Sequence, residues 1–179
     1  MHAVAILTVA LILTACASSE APEAAPAPVT LLAGASCPIT APDVMLPALA
    51  PVAGTFPLWV TSQGHEQWSD MSSTQLAPEP YRTGKRVWVV DTRAPGKLRI
   101  TGRQLDGTGI VLFAQREPED KEASPVLEIQ SAEEGPMGSP PGFQLHGFLI
   151  YYPGPGCYQL TGTLADQTVQ IVVEIVDRP

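Results

Sequence analysis

The stretch Thr168-Val169-Gln170-Ile171-Val172-Val173-Glu174-Ile175-Val176 decides the fold. Val169, Ile171, Val173 and Ile175 recur at every second position, while Thr168, Gln170, Val172 and Glu174 take the alternate ones. A helix would scatter these residues around its axis. A strand sends them to opposite faces, so the segment reads as a strand with one side on a core. Ala165-Asp166, just upstream, closes a hairpin with the run at 157–163.

Outward from that hairpin, similar short runs bounded by Gly, Pro or Asp lie at 57–61, 86–92, 97–104, 109–115, 126–129 and 143–151. With 19 Pro, 15 Gly and only 16% charged residues in a chain of 179, helix cannot dominate. The expectation is an all-β sandwich of about seven to eight strands. Trp59, in an apolar run, is expected in its core, and Trp68 is expected to anchor the long loop at 62–84. A net charge of -8 argues against a general nucleic-acid binder, whose affinity would come from neutralising phosphates.

Within Gly154-Pro155-Gly156-Cys157-Tyr158-Gln159-Leu160, a Gly precedes Tyr158 by two positions and an apolar residue follows it by two. This resembles the tyrosine corner of immunoglobulin-like sandwiches. Leu160 stands where antibody domains carry the inter-sheet Cys, so Cys157 is expected on the opposite face. The pieces at 86–107 and 155–162 also resemble secreted bacterial proteins with no assigned activity.

At the other end, Val4 to Leu13 is apolar except for Thr8, too short for the roughly 17 residues of a membrane-spanning helix. It reads as a signal-peptide core. The following Leu13-Thr14-Ala15-Cys16 resembles the lipobox of bacterial lipoprotein precursors. The resemblance implies cleavage before Cys16, acylation of that residue with diacylglycerol and a further chain such as palmitate, and attachment to the cell membrane or outer membrane. Ala17 in the second mature position resembles the outer-membrane pattern. Residues 1–15 are thus a signal peptide, and 16–36 a disordered linker rich in Ala and Pro, with Pro22, Pro26 and Pro28. Residues 37–179 form the immunoglobulin-like domain. If Cys16 is acylated, Cys37 and Cys157 are the remaining thiols, and an exported compartment favours a disulfide between them. Free thiols or a shared metal are the alternatives. A disulfide there would pin the Pro-rich segment after Cys37, which reads as an extended strap with Pro38, Pro42, Pro47 and Pro51, across the sheet.

Seven basic residues and one acid fall within 82–103, against the overall charge. Read as a hairpin turning near Pro95-Gly96, this stretch puts Val87, Val89, Leu98 and Ile100 on one face and Arg86, Trp88, Lys97, Arg99 and Arg103 on the other. A Trp among Arg side chains suits an anionic envelope polymer, while another envelope protein is an equally open partner. Alternatively the acid-rich stretch 116–134 lies across this face and the charges pair internally. No GxSxG, HExxH, CxxC or GxxxxGK[ST] motif occurs, so no cofactor or metal is implied and no catalytic residue is assigned. The sequence favours a non-catalytic binding or scaffolding module, with an envelope hydrolase as the alternative.

Overall fold

The computed structural model describes residues 31, 34–61, 65–68, 71, 79–94, 96–115, 122–130 and 139–177. Residues 1–15, expected to be a signal peptide, Cys16 and most of the expected linker lie outside them. The described chain forms a sandwich of two five-stranded sheets. Sheet A has the order β1-β2-β4-β8-β6, from β1 (Val52–Thr55), β2 (Leu58–Thr61), β4 (Arg82–Asp91), β6 (Leu112–Gln115) and β8 (Phe143–Tyr152). Sheet B has the order β3-β10-β9-β5-β7, from β3 (His65–Gln67), β5 (Lys97–Gln104), β7 (Val126–Gln130), β9 (Gly156–Leu164) and β10 (Gln167–Val176). All neighbours are antiparallel except β3 and β10.

All eight expected strands are present, and β1 and β3 bring the number to ten. Neither short strand carries a local signal. β1 follows a Pro-rich segment and contains Gly54 at φ 128°, while β3 is His-Glu-Gln, without an apolar alternation. Each is held by its pairing, β1 with β2 and β3 with the end of β10.

Alternation buries one face of each sheet. Leu58, Val60, Trp88 and Val90 from sheet A meet Leu98, Ile100, Tyr158, Leu160, Ile171 and Val173 from sheet B in the main core. As expected from its pattern, β10 sends Val169, Ile171, Val173 and Ile175 inward. The β9–β10 hairpin turns at Ala165, which takes a left-handed φ of 53°. Tyr158 donates its hydroxyl to the Gly154 carbonyl at 2.7 Å, the bond that a tyrosine corner uses to fix the chain as it changes sheets.

The expected hairpin of the basic stretch does not form. β4 pairs with β2 and β8 in sheet A, whereas β5 pairs with β7 and β9 in sheet B. Between them the chain crosses the sandwich instead of folding back. The crossing begins at Asp91, whose carboxylate accepts hydrogen bonds from the Arg93 backbone and guanidinium at 2.8 to 2.9 Å.

The extended segment behaves as read. Cys37 is disulfide-bonded to Cys157, with Cα atoms 5.5 Å apart. Because Tyr158 and Leu160 face the core, Cys157 faces out of sheet B, and the disulfide holds the segment on that outer surface. Thr40 then exchanges two 2.9 Å hydrogen bonds with the Val172 backbone, and Val44 bridges to Val52 at the edge of sheet A. Val44, Leu46 and Leu49 finally cover Val52, Trp59 and Val89 on the outer side of sheet A. Trp59 is therefore buried under this strap, not in the main core. Trp68 packs at the edge of the core with Arg82 stacked 5.3 Å from its ring.

Candidate functional site

The five residues expected on one basic face are divided between interior and exterior. Trp88 is fully buried, with its ring lying over Gly162 of the opposite sheet, where any Cβ would collide with it. Arg86 is 1% exposed and meets Glu66 across the interior. The outward side of β4 carries Val87 and Val89, with Val89 sheltered beneath the strap. The reversal has a physical cause. An indole buries far more surface than a valine, and the missing side chain at Gly162 makes room for it only on the inside.

A buried guanidinium requires a countercharge, and β3 supplies it. Burial raises the Glu66 carboxyl above the usual range, because desolvation outweighs the attraction and hydrogen bonding of Arg86. Burial likewise pushes up the phenol of Tyr152 beside this pair. The Tyr152 hydroxyl, Arg86 Nε and Trp88 Nε1 have no hydrogen-bond partner among the described residues. Met71 and Gly84 close the space around the pair. The cluster joins the two sheets through their interior.

The remaining three cations do share a face, the outer surface of sheet B. Lys97, Arg99 and Arg103 alternate along β5 with the buried Leu98 and Ile100. Cross-strand register places Arg99 opposite Glu128 on one side and Thr163 on the other, and Thr101 opposite Thr161. Lys97 Nζ lies 3.0 Å from Glu128, a pair whose side chains are 50% and 47% exposed. Arg103 donates through Nε to Gln159 at 2.8 Å, and Gln159 donates in turn to Gln170 at 2.9 Å. This glutamine relay fixes a guanidinium on an otherwise threonine-rich surface.

Internal charge pairing is thus present in part, through Glu128. Of the remaining acid-rich stretch, 116–121 and 131–134 lie outside the described residues. Gln159 and Gln170 were not singled out in the sequence, nor was Glu66 as the partner of Arg86. Gln159 and Gln170 could have been found by writing out the register of the 157–176 hairpin. Glu66 could not, because its partner is set by a nonlocal parallel pairing.

With this face described, comparison with known proteins adds one likeness. A solved structure described as "a Putative Lipoprotein from Bacillus anthracis" is similar over 74% of this chain and 82% of its own, at 13% identity and a TM-score of 0.37. No family model and no curated protein matches the chain. Among the described residues no three metal-ligating side chains cluster, and no helix is long and apolar enough to cross a membrane. Ser139 accepts a 3.3 Å hydrogen bond from the Leu145 backbone, as befits a loop residue.

Proposed function

We propose that this chain is a lipid-anchored cell-envelope protein whose sandwich is a non-catalytic binding or scaffolding module, presenting the outer face of sheet B to an anionic partner. Acylation at Cys16 attaches the chain to the cell membrane or outer membrane, and the linker holds the domain off it. The lipobox-like Leu13-Thr14-Ala15-Cys16 supports the anchor, and a disulfide at Cys37–Cys157 suits an oxidising compartment. The observation that carries the binding reading is the Arg103–Gln159–Gln170 relay. It holds one guanidinium in a set orientation on the same face as Arg99 and Lys97, which lowers the ordering cost of binding an anion there. An envelope polymer carrying phosphate or carboxylate groups has the matching chemistry. Arg86 and Trp88 are not part of the binding surface.

Two measurements test this reading. Intact mass of the membrane-extracted protein is expected to fit a chain beginning at an acylated Cys16, and Cys16→Ala is expected to abolish both the acyl mass and membrane retention. Full-length unmodified protein in the cytosol would overturn the anchor. Titration with a poly(glycerol phosphate) chain is expected to show salt-sensitive binding that Arg99→Glu with Arg103→Glu abolishes. Binding unchanged by that pair would overturn the site.

A further inference from the structure

We propose that the Cys37–Cys157 disulfide is a redox-addressable latch for the N-terminal segment, opened at Cys37 by thiols that carry a compensating positive charge and shielded from anionic thiols by Asp106 and Glu174. The bond borders an open cleft of about 700 Å³ whose lining includes residues 34–37, Asp106, Gly156 and Glu174. Its two sulfurs are unequally presented. Cys157 is 2% exposed and belongs to β9, the central strand of sheet B, whereas Cys37 is only part-buried and lies in the segment laid over it.

An incoming thiolate therefore reaches Cys37. Its sulfur bonds to that of Cys37, the Cys37–Cys157 bond breaks, and the electron pair leaves on Cys157, which then takes a proton from water. A second thiolate, or the second thiol of a protein dithiol, displaces Cys37 from the mixed disulfide. The reductant ends as a disulfide, and the protein gains two electrons and two protons.

Electrostatics select among reductants. Asp106 accepts a 3.0 Å hydrogen bond from the Cys157 backbone, and Glu174 stands opposite Cys157 in the β9–β10 ladder. Among the described residues no basic side chain lines the cleft. An anionic reagent meets two carboxylates on arrival, and the departing Cys157 thiolate is formed beside them.

Opening the latch leaves the core alone. β9 remains hydrogen-bonded to β5 and β10 along its length, while the segment from Cys37 to Val44 keeps its bonds to Val172 and Val52. Reduction thus changes how the stalk is joined to the sandwich and does not unfold it.

The test uses the full chain carrying Cys16→Ser, so that no third thiol reacts. Cysteamine and 2-mercaptoethanesulfonate are compared at matched thiolate concentration and low ionic strength, beside a peptide disulfide. The cysteamine preference is expected to exceed that of the peptide by roughly five- to tenfold, and to collapse in about 0.5 M salt, where screening is strong. It is also expected to collapse in Asp106→Asn with Glu174→Gln, since Asn retains the acceptor for the Cys157 amide. The first adduct should map to Cys37, and hydrogen exchange after reduction should rise within 38–44 while β9 stays protected. A preference equal to the peptide's, an adduct on Cys157, or reduction only on global unfolding would each overturn the proposal.

Discussion

Arg86 of sheet A and Glu66 of sheet B form an ion pair through the interior of the sandwich. The pair sits at the entry of the long loop, and β3 is held in the sheet by only three residues of pairing with β10. Glu66, together with Trp68 and Met71, ties this segment to the core.

Removing the cation alone should be costly. Arg86→Met leaves the Glu66 carboxylate buried without its partner and is expected to lower stability by about 3–5 kcal/mol in urea unfolding, with most of the loss recovered by adding Glu66→Gln. Equal losses in single and double variants would show the pair to be energetically idle.

The pH dependence follows from the upward shift of Glu66. Its folded value lies above its unfolded value, so the associated stability is fully present below about 4.5 and is lost as pH rises through the folded value. Glu66→Gln keeps an acceptor for Arg86 and has no charge to desolvate. Relative to wild type it is therefore expected to gain stability as pH rises from 4.5 toward neutrality, and urea midpoints across that range check the sign.

Trp88 should behave as a core residue. Trp88→Ala is expected to cost about 3–5 kcal/mol, and Gly162→Ala about 1–3 kcal/mol because its methyl enters the space of the ring. Neither should alter binding at the outer face of sheet B in the fraction that stays folded.

Tyr158→Phe isolates the corner bond to Gly154. Its loss is expected to cost about 1 kcal/mol, readable as a lower urea midpoint with an unchanged slope.

The exposed pair Lys97–Glu128 should contribute little. Lys97→Ala is expected to change stability by less than about 1 kcal/mol, with the difference fading in salt.

The strands were legible because apolar alternation is a local property. β10, β9 and β5 could be read from the spacing of their own residues, and the outward position of Cys157 followed from the inward one of Tyr158. The candidate face was half legible. Lys97, Arg99 and Arg103 were correctly grouped, since β5 has one clearly apolar side in Leu98 and Ile100. On β4 both sides carry large apolar residues, Val87 and Val89 against Trp88 and Val90, so periodicity separates the two sets without saying which meets the core.

The chain by itself thus determined eight of its ten strands, the turn at Ala165-Asp166 and the extended N-terminal strap, and it favoured Cys157 as the partner of Cys37. Tertiary structure alone decided that β4 and β5 join different sheets, that Trp88 turns toward Gly162, and that Arg86 finds Glu66. The reason is that pairing across a sandwich depends on the fit of volume and charge between segments far apart in sequence, and no period within either segment encodes that fit.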